Sequence, residues 1–107
     1  MRPVLPGDIS AAVRALLSVP PPDRAALARR LVEQAALADS HRRRTGCAHP
    51  DFGDGTLMAA ALPHATARER AMTDPECLDC MALLLHELSS HGGVGNNDLA
   101  APITTSG

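Results

Sequence analysis

The chain has 107 residues, of which 45% are hydrophobic, with one phenylalanine and neither tyrosine nor tryptophan. A chain of this length forms one small domain and leaves no room for a large active site. The formal net charge of -2 combines eight arginines and four acidic residues in residues 1–46 with two arginines and eight acidic residues in residues 47–107. The composition therefore predicts an aliphatic, helix-rich domain with a basic half and an acidic half.

Export and membrane segments are not expected. Residues 1–20 lack the positively charged start and uninterrupted apolar core of an export signal. No apolar run approaches the roughly 18 residues that a membrane span requires. We therefore expect a cytoplasmic protein, in which the three cysteines are reduced.

An extended lead and a first helix are predicted at the start of the chain. Residues 1–7 contain two prolines and a glycine, which favour extended backbone. Asp8 is a suitable N-cap for the helix that follows. The apolar face of this helix consists of Ile9, Val13, Leu16 and Leu17. Three prolines at residues 20–22 end the helix and form a stiff corner.

One long central helix is predicted over residues 22–45, with Asp23 as its N-cap and Gly46 as its stop. Its apolar stripe consists mostly of small residues: Ala25, Leu27, Ala28, Leu31, Val32, Ala35, Ala36 and Ala38. The charged residues assigned to its other faces are Arg24, Arg29, Arg30, Glu33 and Asp39. At about 1.5 Å per residue the helix spans about 36 Å, which is longer than a small domain needs. Its length and narrow stripe predict a homo-oligomer.

A short third helix is predicted over residues 56–62, capped by the turn at residues 54–56 and stopped by Pro63. Leu57, Met58 and Leu62 are expected to face the core, and Phe52 is expected to anchor it.

A fourth helix is predicted from Asp74, which is followed by Pro75 and Glu76. Its apolar face contains Cys77, Cys80, Met81, Leu84, Leu85 and Leu88. It is expected to end before Gly92, and residues 92–107 are expected to form a flexible tail. The predicted fold is all-α, with about four helices in residues 8–91, one of them long and central.

Arginines concentrate on the long helix. Its last turn carries Arg42, Arg43 and Arg44, called the arginine cluster below. A cation cluster at a helix C-terminus either complements the helix dipole as a solvated end or contacts phosphate groups. In the second interpretation, the DNA-binding residues are Arg24, Arg29, Arg30, Arg42, Arg43 and Arg44.

The sequence gives little indication of a catalytic site or of a metal site. Cys47, His49, Cys77 and Cys80 are four residues of the two types, cysteine and histidine, that structural zinc sites prefer. Cys77 and Cys80, however, fall on the apolar face of a predicted helix, where free cysteines behave as small hydrophobic residues. We expect no catalytic residues, no metal and no cofactor. A zinc-stabilised regulator built on those four residues stays an alternative.

Residues 7–46, GDISAAVRALLSVPPPDRAALARRLVEQAALADSHRRRTG, are followed at 49–62 by HPDFGDGTLMAAAL. Together these segments resemble the small terminase that is encoded just upstream of the large terminase in bacterial gene transfer agents, the domesticated phage-like particles. The resemblance covers about the first two thirds of the chain and extends more loosely to the fourth helix.

The resemblance implies a non-catalytic DNA-packaging subunit. Proteins of this kind assemble as rings, bind double-stranded DNA and recruit the large terminase, here through the C-terminal tail. Packaging of largely random host DNA implies weak binding with little sequence preference. Many phage small terminases also carry an N-terminal helix-turn-helix domain, for which there is no room ahead of Asp8. The DNA-contacting surface is therefore inferred from the arginines alone.

A third interpretation is a helical adaptor that binds only proteins. Such an adaptor would use the acidic fourth helix and the tail, where the acidic residues of the chain concentrate. It would show no salt-dependent affinity for DNA.

Overall fold

The computed structural model describes the backbone of residues 1–104 and the side chains of residues 1–91. The described part contains the helices α1 (Pro6–Leu17), α2 (Pro21–Thr45), α3 (Leu57–Ala61) and α4 (Pro75–Thr104). A 3-10 turn over Leu62–His64 follows α3. The only extended pairing within residues 1–104 is an isolated bridge between His49 and Gly53. The predicted all-α fold with one long central helix is confirmed.

Prolines, and not aspartates, begin the first two helices. α1 starts at Pro6, so Asp8 occupies its first turn instead of the predicted N-cap. α2 starts at Pro21 and places Asp23 in its first turn, without a side-chain cap. The fixed φ of proline suits the first helical position, where no intrahelical N–H bond is lost, and this moves both starts earlier than predicted.

Asp8 connects two helices. Its buried carboxylate accepts the backbone N–H of Leu5 at 2.8 Å, ahead of α1. The other oxygen accepts the N–H of Met58 at 2.9 Å, in the first turn of α3. One carboxylate therefore satisfies free backbone donors at the starts of both α1 and α3.

The core lies between α1, α2, α3 and α4 and is almost entirely aliphatic. Its largest fully buried side chains are Leu16, Leu31, Leu57, Leu84, Val32 and Cys80. Most of the predicted stripe of α2 is buried, but Ala25 is exposed and Ala36 only half-buried. The small residues of α2 allow the neighbouring helices to approach closely.

Several residues predicted to face the core do not. Met58 and Leu62 are exposed because α3 has only five residues and buries Leu57, Ala60 and Ala61 instead. Leu85 is exposed because α4 turns Cys80 and Leu84 inward, and the next residue is rotated by about 100°. Phe52 lies outside the core and stacks on His49.

The connection between α3 and α4 is attached to the end of α1. The Arg14 guanidinium donates to the carbonyls of Ala65 and Ala67, each at 3.0 Å. The Ser18 hydroxyl accepts the N–H groups of Thr66 and Ala67 at 3.1 and 2.9 Å. These contacts fix a segment that has no regular structure of its own.

α4 begins as predicted, since Asp74 accepts the N–H groups of Glu76 and Cys77, each at 3.0 Å. Its end at Thr104 lies beyond the predicted stop before Gly92. The predicted flexible tail, residues 92–107, lies outside the described side chains, and residues 105–107 lie outside the described backbone. Among the described residues, α4 and the other helices lack the combination of length and apolarity that crossing a membrane requires.

Candidate nucleic-acid interface

A buried charged residue lies at each end of the apolar stripe of α2: Arg24 at its start and Asp39 at its finish. Arg24 precedes Leu27 by three residues, and Asp39 follows Val32 by seven, so both share the face that packs into the core. Arg24 is 7% exposed and Asp39 is 2% exposed. This burial corrects the prediction that both residues lie on the outer faces of the helix.

Arg24 is used entirely within the protein. Its Nε donates to the carbonyl oxygens of Leu16 at 2.9 Å and Val19 at 3.1 Å. Its Nη2 lies 2.6 Å from a carboxylate oxygen of Glu76. The same guanidinium therefore holds the end of α1 and the start of α4 against α2. A phosphate group cannot reach it, so the prediction that Arg24 contacts DNA is corrected.

Asp39 organises the opposite end of α2. Its carboxylate accepts from Arg42 Nη2 at 2.8 Å and from Arg43 Nη2 at 2.6 Å. The Met1 amino group lies 3.4 Å from the same carboxylate. The hydrogen bond from Arg43, aided by the one from Arg42, outweighs burial and holds the pKa of Asp39 well below its usual range. The buried carboxylate is therefore ionised and anchors two arginines.

The arginine cluster is exposed and positively charged. The side chain of Arg43 is 68% exposed although it is bonded to Asp39, and that of Arg42 is 38% exposed. Arg44 is exposed and makes no ion pair with a described residue. The cluster has three positively charged guanidinium groups, and the buried Asp39 carboxylate neutralises only one charge. Positive charge therefore remains in excess at the surface. Such an arrangement can bind an anion of fixed geometry, such as a phosphate group.

The two remaining arginines of the predicted set lie apart from the cluster. Arg29 faces α4, with its Nε 3.8 Å from a carboxylate oxygen of Glu87. It borders an open groove together with Val32 and His91. Arg30 is exposed and forms no ion pair with a described residue. About 18 Å of helix separates Arg30 from Arg42. The structure thus brings together Arg42, Arg43 and Arg44 but does not bring Arg29 or Arg30 to them.

The loop over residues 46–55 returns to pack on the Asp39 backbone. Gly55 has φ +95°, and a Cβ there would lie 2.8 Å from the Cα of Asp39. The carbonyl of Gly55 accepts the N–H of Arg2 at 3.0 Å. Only glycine fits this close approach in this conformation. The loop therefore belongs to the same local structure as the arginine cluster, a connection that no periodicity in the sequence indicates.

The four residues of the zinc hypothesis do not meet. Cys77 and Cys80 are buried in the core, and burial raises the pKa of the Cys80 thiol. Cys47 is exposed in the loop after α2. Within the described side chains, no group of three or more His, Cys, Asp and Glu residues is placed to hold a metal ion. The geometry therefore gives the zinc hypothesis no support.

Comparison with known proteins places the chain in a protein family. No curated protein and no solved structure matches the chain. A family match covers residues 2–88, from the lead through most of the described part of α4. The match includes Arg24, Asp39, the arginine cluster and the loop that packs on it. On this match, the chain belongs to the family described as Domain of unknown function (DUF7742).

Proposed function

We propose that the protein is a non-catalytic DNA-binding subunit of the small terminase type. In this proposal it oligomerises in the cytoplasm, binds double-stranded DNA weakly with little sequence preference, and recruits a large terminase for packaging DNA into phage-like particles. The observation that carries the DNA-binding part is the exposed arginine cluster anchored on buried Asp39. The packaging role depends on the resemblance of residues 7–62 to small terminases of gene transfer agents.

The anchoring by Asp39 suits phosphate binding. An arginine that is held in place loses less side-chain entropy when it binds a phosphate oxygen than a freely rotating one. Arg43 keeps most of its surface accessible while bonded to Asp39. Phosphate contacts carry no sequence information, so binding through this cluster is indifferent to sequence.

Oligomerisation would strengthen the weak contact of each subunit. The exposed leucines Leu37, Leu78 and Leu85 on α2 and α4 supply apolar surface for contacts between copies. Several arginine clusters in one assembly would engage one DNA molecule together, and linked sites bind far more tightly than single ones. A ring would place these clusters at regular intervals.

The experiment measures the affinity for mixed-sequence duplex DNA at several salt concentrations by fluorescence anisotropy. The test variant is Arg42→Gln/Arg43→Gln/Arg44→Gln, because glutamine keeps a hydrogen-bond donor for Asp39. We expect weaker binding to every sequence and a salt slope that is shallower by about two to three. A folded triple variant that binds as the unmodified protein does would place the DNA-contacting surface elsewhere.

The adaptor function is the second candidate, and the exposed apolar residues of α3, of the 3-10 turn after it and of α4 favour it. Met58, Leu62, Leu78 and Leu85 are each more than one third exposed. Light scattering with and without duplex DNA separates the two functions. A multi-subunit species that binds DNA supports the packaging proposal, whereas a monomer indifferent to DNA at every salt concentration supports the adaptor.

A further inference from the structure

The only phenylalanine of the chain, Phe52, does not pack in the hydrophobic core. Phe52 stacks on the imidazole of His49 with ring centroids 4.8 Å apart and an interplanar angle of 14°. The ring of His41, near the end of α2, meets His49 edge-on with centroids 5.1 Å apart. These three half-buried rings are called the ring stack below. A large apolar ring kept near the surface has a flat face that a planar ligand can cover.

Backbone hydrogen bonds fix the ring stack. The Nδ1 of His49 accepts the N–H groups of Asp51 at 3.0 Å and Phe52 at 3.2 Å. His49 and Gly53 exchange two backbone hydrogen bonds, at 2.7 and 3.1 Å. Gly53 has φ +89°, and a Cβ there would lie 2.6 Å from the Cβ of Ala59. The rings are therefore in place before any ligand arrives, which lowers the entropy lost on binding.

The ring stack adjoins the arginine cluster. His41 immediately precedes Arg42 and lies one turn before Arg44, so His41 and Arg44 share a face of α2. The edge-on contact between His41 and His49 holds the loop against that end of the helix. Flat rings and guanidinium groups therefore occupy one end of the molecule. Asp51, exposed beside Phe52, is the nearest acidic residue in the loop sequence.

We propose that the ring stack and the arginine cluster together bind single-stranded DNA. An unpaired base stacks on Phe52, and the adjoining phosphates contact Arg44 and its neighbours. Single-strand binding sites combine a positively charged surface with aromatic rings, because every base offers a flat face whatever its sequence. This inference rests on the proposed function, since the same arginines would contact duplex DNA.

The ring stack distinguishes unpaired from paired DNA. In a duplex the faces of the bases are covered by their neighbours, so only the phosphates are available to the arginines. Single-stranded DNA offers both phosphates and base faces. We therefore expect tighter binding to a single strand than to a duplex of equal phosphate number, by about fivefold or more for one stacked base.

The principal test uses Phe52→Trp, which introduces the only tryptophan into a chain without tyrosine. A base stacked on the indole quenches its fluorescence, whereas phosphates alone do not. The ligands are an oligothymidylate and an abasic strand of equal length and charge. Saturable quenching by oligothymidylate, without quenching by the abasic strand, is expected. Equal responses to both strands, or binding of oligothymidylate without quenching, would overturn the stacking proposal.

A second variant keeps the test valid if the tryptophan does not fit the loop. Phe52→Leu retains an apolar side chain and removes the ring. Its affinity for oligothymidylate should fall by about fivefold or more, while its affinity for duplex DNA should not change. An unchanged single-strand affinity would overturn the inference and leave the duplex function intact. Loss of single-strand affinity in a protein that never binds duplex DNA would instead support the inference and contradict the proposed function.

Asp51→Asn provides a matched control in the same loop. Its backbone N–H bond to His49 does not depend on the carboxylate, so the ring stack is retained. Removing an acidic group beside the rings should raise the affinity for the oligothymidylate and for the abasic strand alike. An increase in the affinity of Asp51→Asn for both strands distinguishes this charge effect from base stacking, which Phe52→Trp detects only with the oligothymidylate.

Discussion

The two ends of α2 use arginine in opposite ways. At its start, Arg24 is buried and donates to two carbonyl oxygens and to Glu76. At its end, Arg42 and Arg43 stay accessible, while the buried partner is the carboxylate of Asp39. The first end directs the positive charge inward to hold helices together. The second end directs it outward, where it is available to a ligand.

The difference lies in which member of the ion pair is buried. A buried arginine has five donors to satisfy and must find several acceptors, which come here from α1 and α4. A buried aspartate needs only a few donors, and Arg42 and Arg43 supply them from the surface. Residue type alone therefore does not separate a structural arginine from a binding one, whereas position relative to the apolar stripe does.

Replacement of Arg24 should have the largest effect on stability. Arg24→Ala leaves the carbonyls of Leu16 and Val19 without these donors in a buried site, and should lower the free energy of unfolding by about 3 kcal/mol. Urea denaturation measures this change. The control is Arg30→Ala, on the exposed face of the same helix, which should change stability by less than about 0.5 kcal/mol. Equal stabilities of the two variants would contradict a structural role for Arg24.

A matched pair of glycine substitutions tests the packing at the opposite end. Gly46 has φ +78° with open space around it, so Gly46→Ala should cost about 1 kcal/mol through backbone strain alone. Gly55→Ala adds a clash with the Asp39 backbone and should cost more. Thermal unfolding compares them. If Gly55→Ala is no more costly than Gly46→Ala, the loop does not pack tightly on Asp39.

Two carboxylates, Asp39 at the end of α2 and Glu76 beside its start, make the stability of the protein depend on pH. The Asp39 pKa is lowered mainly by Arg43, and the Glu76 pKa mainly by Arg24 and then Arg70. A lowered native pKa contributes stability above the unfolded pKa, which is about 3.9 for Asp. That stability is lost as the pH falls below about 4 toward the native pKa.

Urea denaturation between neutral pH and pH 3 therefore separates these contributions. Asp39→Asn should lower stability at neutral pH and make its decline in acid shallower. Glu76→Gln should act in the same direction but less, because Glu76 is 41% exposed and its ion pairs are screened. An Asp39→Asn protein with the acid response of the unmodified chain would contradict the ionised, anchoring role of Asp39.

Single arginine substitutions should have the smallest effect. Arg44→Gln and Arg68→Gln each remove one exposed positive charge, but only Arg44 belongs to the arginine cluster. Arg44→Gln should weaken duplex binding a few-fold and reduce the salt slope by about one, without changing stability by more than about 0.5 kcal/mol. Arg68→Gln should leave binding nearly unchanged. Equal losses of affinity would indicate a diffuse effect of net charge.

Local signals explain why much of the fold could be predicted. The extent of α2 follows from helical spacing, the prolines at residues 20–22 and the left-handed Gly46, all of which act within a few residues. The Asp74 cap of α4 is equally local. Proline at the first helical position puts the starts of α1 and α2 at Pro6 and Pro21, earlier than the predicted starts.

Non-local contacts explain most of what could not be predicted. The partner of Arg24 on α4, Glu76, lies 52 residues away in sequence. Arg24 and Asp39 continue the apolar stripe at its two ends, so helical spacing indicates the burial of both, even though charged residues are seldom buried. Nothing in the spacing around Phe52 indicates that it stacks on His49, since residues 46–55 have neither helical nor strand periodicity.

Crosslinking from the two ends of α2 tests most directly whether the arginine cluster contacts DNA. Cys47 is the exposed cysteine beside the cluster, whereas Cys77 and Cys80 are buried, so a photo-crosslinker can be attached to it selectively. The control is Thr73→Cys in a Cys47→Ser background, because exposed Thr73 lies just before the start of α4, at the Arg24 end.

The proposal predicts that duplex DNA crosslinks to the probe on Cys47 and much less to the probe at residue 73, with a yield that falls as salt rises. About 30 Å of helix between Arg24 and Arg44 makes the two positions distinguishable. Equal crosslinking from both positions, or crosslinking only from residue 73, would contradict the assignment of the DNA-contacting surface to the end of α2.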